Sequence, residues 1–137
     1  MKKQHVAGFT LIEVMITVVI VAILGSIAVP SYLSHVRDSR RQEAKRAMLE
    51  AAQTMESFYA MNMTYVGSSN GTTPSIFATK VPKDGNERYY TLSFDEEPTA
   101  TTYTLKAEPY AGQVDDRCGT LTLTRAGAKN AAESDCW

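Results

Sequence analysis

The apolar and polar positions divide this chain into two parts. Residues 8–30 are almost wholly apolar, and residues 14–36 contain no Asp, Glu, Lys or Arg. About 20 apolar residues, at roughly 1.5 Å rise each, suffice to cross the hydrocarbon core of a bilayer. The pattern therefore predicts a membrane-spanning helix. Glu13 is the one carboxylate in it, and it is a candidate functional residue because a charge at the bilayer centre costs about 2.5–3.5 kcal/mol.

Beyond Pro30 the helical pattern becomes amphipathic. Charged residues are frequent in residues 37–56 and are typical of a solvated helix face, with Asp38 and Arg41 spaced for an i,i+3 ion pair. Apolar residues recur at steps of three and four and predict one core-facing stripe. The stripe comprises Ala44, Met48, Ala51, Ala52, Met55, Phe58 and Tyr59. We therefore expect a single helix over residues 9–62.

Two residues predict a bend in this helix. Pro30 lacks an N–H and clashes with the preceding turn, and Gly25 loosens the helix just upstream. A simple kink is the expected outcome, and a hinge that unwinds when subunits pack is the alternative.

The remaining sequence predicts a small sheet. Turn-forming residues dominate residues 63–87 and predict a long connecting loop. Three segments then alternate apolar and polar residues with a period of two, which predicts antiparallel strands. Their apolar positions are Tyr90, Leu92 and Phe94, then Tyr103, Leu105 and Ala107, then Leu121 and Leu123. We expect an α+β fold in which the helical stripe covers the apolar face of this sheet.

The charge of the chain argues against one class of function, and its cysteines indicate a disulfide. The chain has 14 basic and 15 acidic side chains, and loss of Lys2 and Lys3 would leave 12 against 15. This is not the bulk charge of a nucleic-acid-binding protein. Translocation across a membrane would place Cys118 and Cys136 in an oxidising compartment, where a disulfide is expected.

No catalytic or metal-binding constellation is predicted. Beyond residue 8 the chain has one histidine, His35, so a Ser–His–Asp arrangement in the C-terminal part is not expected. Two cysteines without neighbouring histidines do not form a zinc site. The acidic runs at residues 95–97 and 115–116 could bind a hard cation, but solvated loop carboxylates are commoner. We expect no enzyme activity, metal or cofactor.

The N-terminal residues carry a specific signal. Lys2 and Lys3 precede Gly8, which is followed by Phe-Thr-Leu-Ile and then Glu13. This arrangement resembles the leader of type IV pilins and related pseudopilins. The resemblance implies that a prepilin peptidase cuts between Gly8 and Phe9 and that Phe9 is then N-methylated. Glu13 would be the fifth residue of the mature chain.

Two other interpretations of the apolar segment are weaker. A secretory signal peptide has a passable small-x-small cleavage site at residues 26–28, but its apolar core normally has about 7–15 residues and no acidic group. A plain transmembrane anchor accounts for the length and leaves Glu13 unexplained.

The C-terminal part extends the resemblance. Residues 117–123 (Arg-Cys-Gly-Thr-Leu-Thr-Leu) and the closing Cys-Trp pair are similar to PilE-type minor pilins. The resemblance implies a leader at 1–8, a transmembrane and assembly half at 9–36, and a periplasmic or extracellular pilin head domain at 37–137. It implies a single-pass prepilin of the inner membrane, with a cytoplasmic leader and a periplasmic head, that later joins a cell-surface pilus.

The same resemblance implies the partners. They are other pilins, through helix packing in the filament, the prepilin peptidase and methyltransferase, the pilus assembly platform and the inner membrane. Glu13 is expected to pair with the Phe9 amine, either of its own chain or of a neighbouring subunit, which would set the axial register. The subunit would prime or support filament assembly in motility, adhesion or DNA uptake.

Three alternatives remain for the function. The chain could be a major pilin or a pseudopilin of type II secretion, although the latter commonly lacks a C-terminal disulfide loop. From a different class, some minor pilins that this chain resembles act as DNA-uptake receptors. The basic residues that could contact DNA are Lys80, Lys83, Arg88, Arg117, Arg125 and Lys129. DNA binding is not favoured, because the bulk charge is acidic.

Overall fold

A computed structural model describes residues 8–137, so the predicted leader lies outside the described residues except for Gly8. One helix, α1, runs over Leu11–Asn62, which confirms the single long helix. The chain divides into two compact units, the first ending at Val36 and the second, here called the head, comprising Arg37–Trp137. In the first unit α1 continues through Pro30. The bend at Gly25 and Pro30 remains a prediction.

The head contains seven short strands. They are β1 (Ser69–Asn70), β2 (Thr73–Pro74), β3 (Lys80–Val81), β4 (Tyr90–Phe94), β5 (Thr104–Pro109), β6 (Leu121–Thr124) and β7 (Lys129–Asn130). β1 and β2 form a hairpin, and the other five form a sheet in which each strand pairs antiparallel with the next along the chain. The predicted α+β class and antiparallel meander are confirmed. The loop expected over residues 63–87 contains three of these strands, β1 to β3, and β7 lies beyond the third predicted strand; each of the four is two residues long.

The core of the head lies between the helical stripe and the apolar face of the sheet. Ala44, Met48, Ala51 and Met55 are buried, as the spacing of the stripe predicted, and Ala52 and Tyr59 are partly buried against them. The strand positions predicted to face inward are all buried: Tyr90, Leu92, Phe94, Tyr103, Leu105, Ala107, Leu121 and Leu123. Every buried apolar residue of this core belongs to the head, so the head contains its own core.

A buried ion pair joins α1 to the loop before β6. Arg41 donates from Nε to Asp116 Oδ2 at 2.9 Å and from Nη2 to Asp116 Oδ1 at 2.8 Å. Arg41 is 5% exposed and Asp116 is 7% exposed. Arg41 also donates to Asp38, which confirms the i,i+3 pair. The expectation that Arg41 lies on a solvated face and Asp116 in a solvated loop was wrong, because each neutralises the other inside the head.

Two further side chains complete this network. Tyr90, in β4, donates its hydroxyl to Asp116 at 2.9 Å, and buried Gln113 donates to the Arg37 carbonyl at 2.9 Å and to Asp116 at 3.2 Å. Burial raises the pKa of Tyr90 to about 12. Burial alone would raise the pKa of Asp116, but hydrogen bonds from Arg41 and Tyr90 outweigh it and hold that pKa below its usual value.

The C-terminal segment is tied to the same region. Cys118 and Cys136 form the predicted disulfide, and the Ala132 N–H donates to the Cys118 carbonyl at 3.1 Å. Arg117 forms ion pairs with Glu133 and Asp135 across the same loop. The disulfide closes an 18-residue separation, a constraint worth about 3 kcal/mol in the chain-entropy account.

We predict that Asp116→Asn destabilises the head by about 3 kcal/mol at pH 7, because it leaves the Arg41 charge buried without a carboxylate. The stabilising contribution of Asp116 is present above its ordinary pKa of about 3.9 and is lost as the pH falls through its lower folded pKa. Urea unfolding of the head should therefore show a difference between wild type and variant that shrinks below about pH 4.

Asp115→Asn is the matched control for this measurement. The Asp115 side chain is 85% exposed and lies 3.5 Å from Arg37, so its replacement should change the free energy of unfolding little. Equal effects of the two substitutions, or a difference for Asp116→Asn that does not depend on pH, would contradict the assigned role of the buried pair.

Candidate assembly and binding surfaces

The N-terminal end of α1 places the predicted processing and registration residues on one exposed turn. Phe9 is 83% exposed, and Thr10 lies just before the helix, where its hydroxyl accepts a hydrogen bond from the Glu13 N–H at 3.3 Å. The Thr10-x-x-Glu13 spacing is that of a capping box, of which this hydroxyl contact is one half. Among residues 8–137 no cation lies within 4.0 Å of the Glu13 carboxylate.

The first unit exposes an apolar surface around its whole circumference. The large apolar side chains of residues 9–33 are each 50–83% exposed, and α1 has the length and apolar composition needed to span a membrane. They are Phe9, Leu11, Ile12, Val14, Met15, Ile16, Val18, Val19, Ile20, Val21, Ile23, Leu24, Ile27, Val29, Tyr32 and Leu33. A helix that is apolar on all sides needs lipid or other apolar helices around it, because water does not solvate such a surface.

The candidate DNA contacts separate into two groups. Lys80 lies in edge strand β3 and donates to the Gly85 carbonyl, Lys83 pairs with Glu50 at 3.1 Å, and Arg88 stacks on Tyr110.

The second group lies at the opposite edge of the sheet. Arg125 stacks on Tyr59 and donates to the Thr101 carbonyl at 3.1 Å. Lys129 lies in edge strand β7, which is separated from β3 by three strands, or about 19 Å at a strand spacing of about 4.8 Å. The structure therefore does not bring the predicted set into one patch. Arg117, named with them, is engaged by its two carboxylates.

Two cations that the sequence did not single out lie near these groups. Lys45 Nζ is 6.0 Å from the centre of the Trp137 ring, and Lys129 Nζ is 5.3 Å from the same ring. Arg40 Cζ lies 3.9 Å from the centre of the Tyr89 ring. Both Lys45 and Arg40 belong to the charged face of α1, and their spacing in the sequence carries no signal of an aromatic partner elsewhere in the head.

Two of the acidic clusters in the head are already bound by arginine side chains. Glu133, Asp135 and Cys136 lie close together, but the cysteine is in the disulfide and both carboxylates pair with Arg117. At residues 115–116, Asp116 is bound by Arg41. Trp137 is partly buried and donates its indole N–H to the Asn130 carbonyl at 2.8 Å, so it anchors the C-terminal segment.

Two sequence families match this chain. The family described as "Type IV minor pilin ComP, DNA uptake sequence receptor" matches residues 30–122, more than half of the chain. The family described as "Prokaryotic N-terminal methylation motif" matches residues 3–29, which include Gly8, Phe9 and Glu13. The two matches meet at Pro30 and together cover the helix and most of the head.

Individual relatives are also pilins or core proteins of a secretion system. Type II secretion system core protein G of Vibrio cholerae is 30% identical over 129 residues, which cover 82% of this chain and 86% of that protein. A type IV pilin structure from Shewanella oneidensis is 29% identical with a TM-score of 0.54, covering 74% of this chain and 97% of that one. The minor pilin PilV of Neisseria meningitidis has the same fold at 24% identity and a TM-score of 0.54, covering 74% of this chain and 92% of that one. This chain belongs to the type IV pilin family, in the group that includes minor pilins and pseudopilins.

Proposed function

We propose that this chain is cut between Gly8 and Phe9 and then enters a type IV pilus as a minor pilin that primes or supports filament assembly. The observation that carries the proposal is the exposed apolar surface of residues 9–33, in which Glu13 is the only ionisable carboxylate. Packed against the apolar helices of other pilins, this surface would leave water or lipid and hold the subunit in the filament.

Glu13 gives this packing its register. An unpaired carboxylate in an apolar layer is strongly disfavoured, whereas one paired with an amine and hydrogen-bonded is tolerated. Cleavage creates a new amine at Phe9. This amine can pair with Glu13, either in the same chain or in a neighbouring subunit. Pairing with the amine of a neighbouring subunit would stabilise one axial position of the two subunits. At every other position the carboxylate would stay unpaired, so those positions would be higher in free energy.

We predict that mass spectrometry of the mature N-terminus will find a chain that begins at Phe9 and carries one added methyl group. The physical basis is the basic leader followed by Gly8, which has no side chain, at the boundary of the apolar segment. A mature chain that begins at Val29 would instead establish an ordinary signal peptide.

We predict that Glu13→Val leaves the chain processed and inserted in the membrane but depletes it at least about tenfold from sheared filaments, the change expected for about 1.4 kcal/mol. Immunoblots of membranes and sheared pili measure both pools. Glu13→Gln separates charge from capping, because an amide can still accept a bond from the Thr10 N–H and cannot balance an amine.

Depletion of the Glu13→Gln chain would support pairing, whereas normal incorporation would leave Glu13 as a helix cap only. Thr17→Val removes a polar group one turn along and should incorporate normally. Normal incorporation of Glu13→Val would contradict the registration role altogether.

Deletion of the gene tests the pseudopilin alternative. Loss of secretion rather than of pili would favour that alternative.

A second candidate function is DNA binding by the head. The match of residues 30–122 to a family described as a DNA uptake sequence receptor favours it, together with the two lysines beside the partly buried Trp137 ring. Cations next to an aromatic ring suit a phosphate backbone and a stacked base. The alternative is that the disulfide loop acts as a clamp, which the internal bonds of Trp137 and Arg117 support.

If the head binds duplex DNA, Lys45→Ala and Lys129→Ala should each lower the slope of log K against log salt by about one. Fluorescence anisotropy of labelled duplex DNA with the head measures this slope. Lys83→Ala is the control, since Lys83 pairs with Glu50 at the other edge of the sheet. Absence of binding at low salt, with a Cys118→Ser variant of reduced stability, would leave the loop as a clamp.

A further inference from the structure

A cleft of about 500 Å³ opens on the head beside the start of β4. Three of its side chains are cationic, one is acidic and two are tyrosines; the lining residues used below are Arg40, Lys80, Glu87, Arg88, Tyr89 and Tyr110. This excess of positive charge is local, because the chain as a whole carries a net charge of −1. The cleft therefore attracts an anionic group of limited size.

Both arginines of the cleft are held in place by aromatic rings. Arg40 Cζ lies 3.9 Å from the centre of the Tyr89 ring, and Arg88 Cζ lies 3.6 Å from the centre of the Tyr110 ring. A guanidinium that stacks on a ring keeps its N–H edges free for a carboxylate or phosphate. Holding the side chain in advance reduces the entropy lost when an anion binds.

The cations of the cleft have no carboxylate partner in the head. Among residues 8–137, no acidic oxygen lies within 4.0 Å of the charged nitrogens of Arg40, Lys80 or Arg88. The one carboxylate of the cleft, Glu87, accepts a hydrogen bond from the Tyr89 hydroxyl. The N–H groups of both arginines are therefore available to a partner molecule.

The head also carries an acidic turn without cationic partners. Residues 95–97 (Asp-Glu-Glu) connect β4 towards β5, are exposed, and have no cation within 4.0 Å among the described residues. The turn is ordered by its neighbours: Asp95 N–H donates to the Thr104 carbonyl at 2.9 Å, and the Thr99 hydroxyl accepts from the N–H groups of Thr101 and Thr102. Three exposed carboxylates are thus presented between two hydrogen-bonded positions, Asp95 and Thr99.

We propose that the cleft of one copy of this chain receives the acidic turn, residues 95–97, of a second copy. The two features flank opposite ends of β4, whose five residues span about 17 Å, so they do not meet within one head. A contact between unlike surfaces of identical subunits is heterologous, and a heterologous contact that does not close on itself builds an open helical array.

This inference rests on the proposed assembly function, because copies of this chain can meet in this way only when they enter the same membrane or filament assembly. Exposed charge pairs contribute orientation and specificity more than affinity. Apolar helix packing would supply the affinity and raise the local concentration of heads, so that a weak charged contact suffices to orient them. Bidentate pairing of a guanidinium with a carboxylate adds the directional preference.

The test uses two differently tagged full-length copies in the same cells. One copy carries Asn86→Cys, in the lining of the cleft, and the other carries Ala100→Cys, beside the acidic turn. Both residues are uncharged, and both native cysteines are in the disulfide, so the introduced thiols are the only free ones among the described residues. A bis-maleimide added to membranes and sheared filaments should join the two tags in one adduct. Ala128→Cys in place of Asn86→Cys should not, because Ala128 follows β6, away from the cleft.

Charge reversal then tests the chemistry. Arg88→Glu in the first copy should lower the adduct yield about fivefold, as should Glu96→Lys in the second, which corresponds to about 1 kcal/mol of lost contact. The two reversals together should restore most of the yield, which also shows that neither variant has simply misfolded.

Four outcomes would overturn the contact. One is an adduct yield that neither charge reversal changes. Another is an adduct that forms with other pilins but never between the two tagged copies. The third is loss of duplex DNA binding in Arg88→Glu at unchanged adduct yield, which would make the cleft a nucleic-acid site. Sheared filaments that contain the chain without any adduct would refute the contact and leave the assembly function standing.

Discussion

The buried pair of Arg41 and Asp116 is the constraint on which the arrangement of the head depends. A charge removed from water is tolerated only with a well-placed partner, so α1 must sit where the Arg41 guanidinium meets both oxygens of Asp116. That position also brings the Tyr90 hydroxyl and Gln113 into the same network. The helix, the first long strand and the loop before the disulfide are therefore held in one register.

The disulfide extends this constraint to the C-terminal segment. Cys118 follows Asp116 by two residues, so the bond to Cys136 fastens the last residues to the part of the head that the ion pair already positions. The sheet next to it is a meander of short strands with local connections. Apolar burial supplies the stability of this layer, and the polar network selects which of the possible packings of helix on sheet is adopted.

A single helix serves two environments through its composition. In the first unit its side chains are apolar on every side and exposed, which suits packing among similar helices or in lipid. In the head the same helix has one buried stripe and a charged face that carries Arg40 and Lys45. This charged face is the part of α1 that lies on the surface of the head. Its guanidinium and ammonium groups lie next to aromatic rings, Arg40 beside Tyr89 and Lys45 beside Trp137, and these are the places where α1 could meet other molecules.

The sequence alone determined the long helix, its stripe, the three main strands and the disulfide, because each depends on local periodicity or on there being only two cysteines. The four two-residue strands were beyond it, since two residues cannot display a period of two. Only the tertiary structure decided that Arg41 meets Asp116, 75 residues away, and that Lys80 and Lys129 lie at opposite edges of one sheet. Contacts between distant residues depend on how the helix, strands and loops pack against one another. The sequence around a charged residue shows only which helix or loop that residue belongs to.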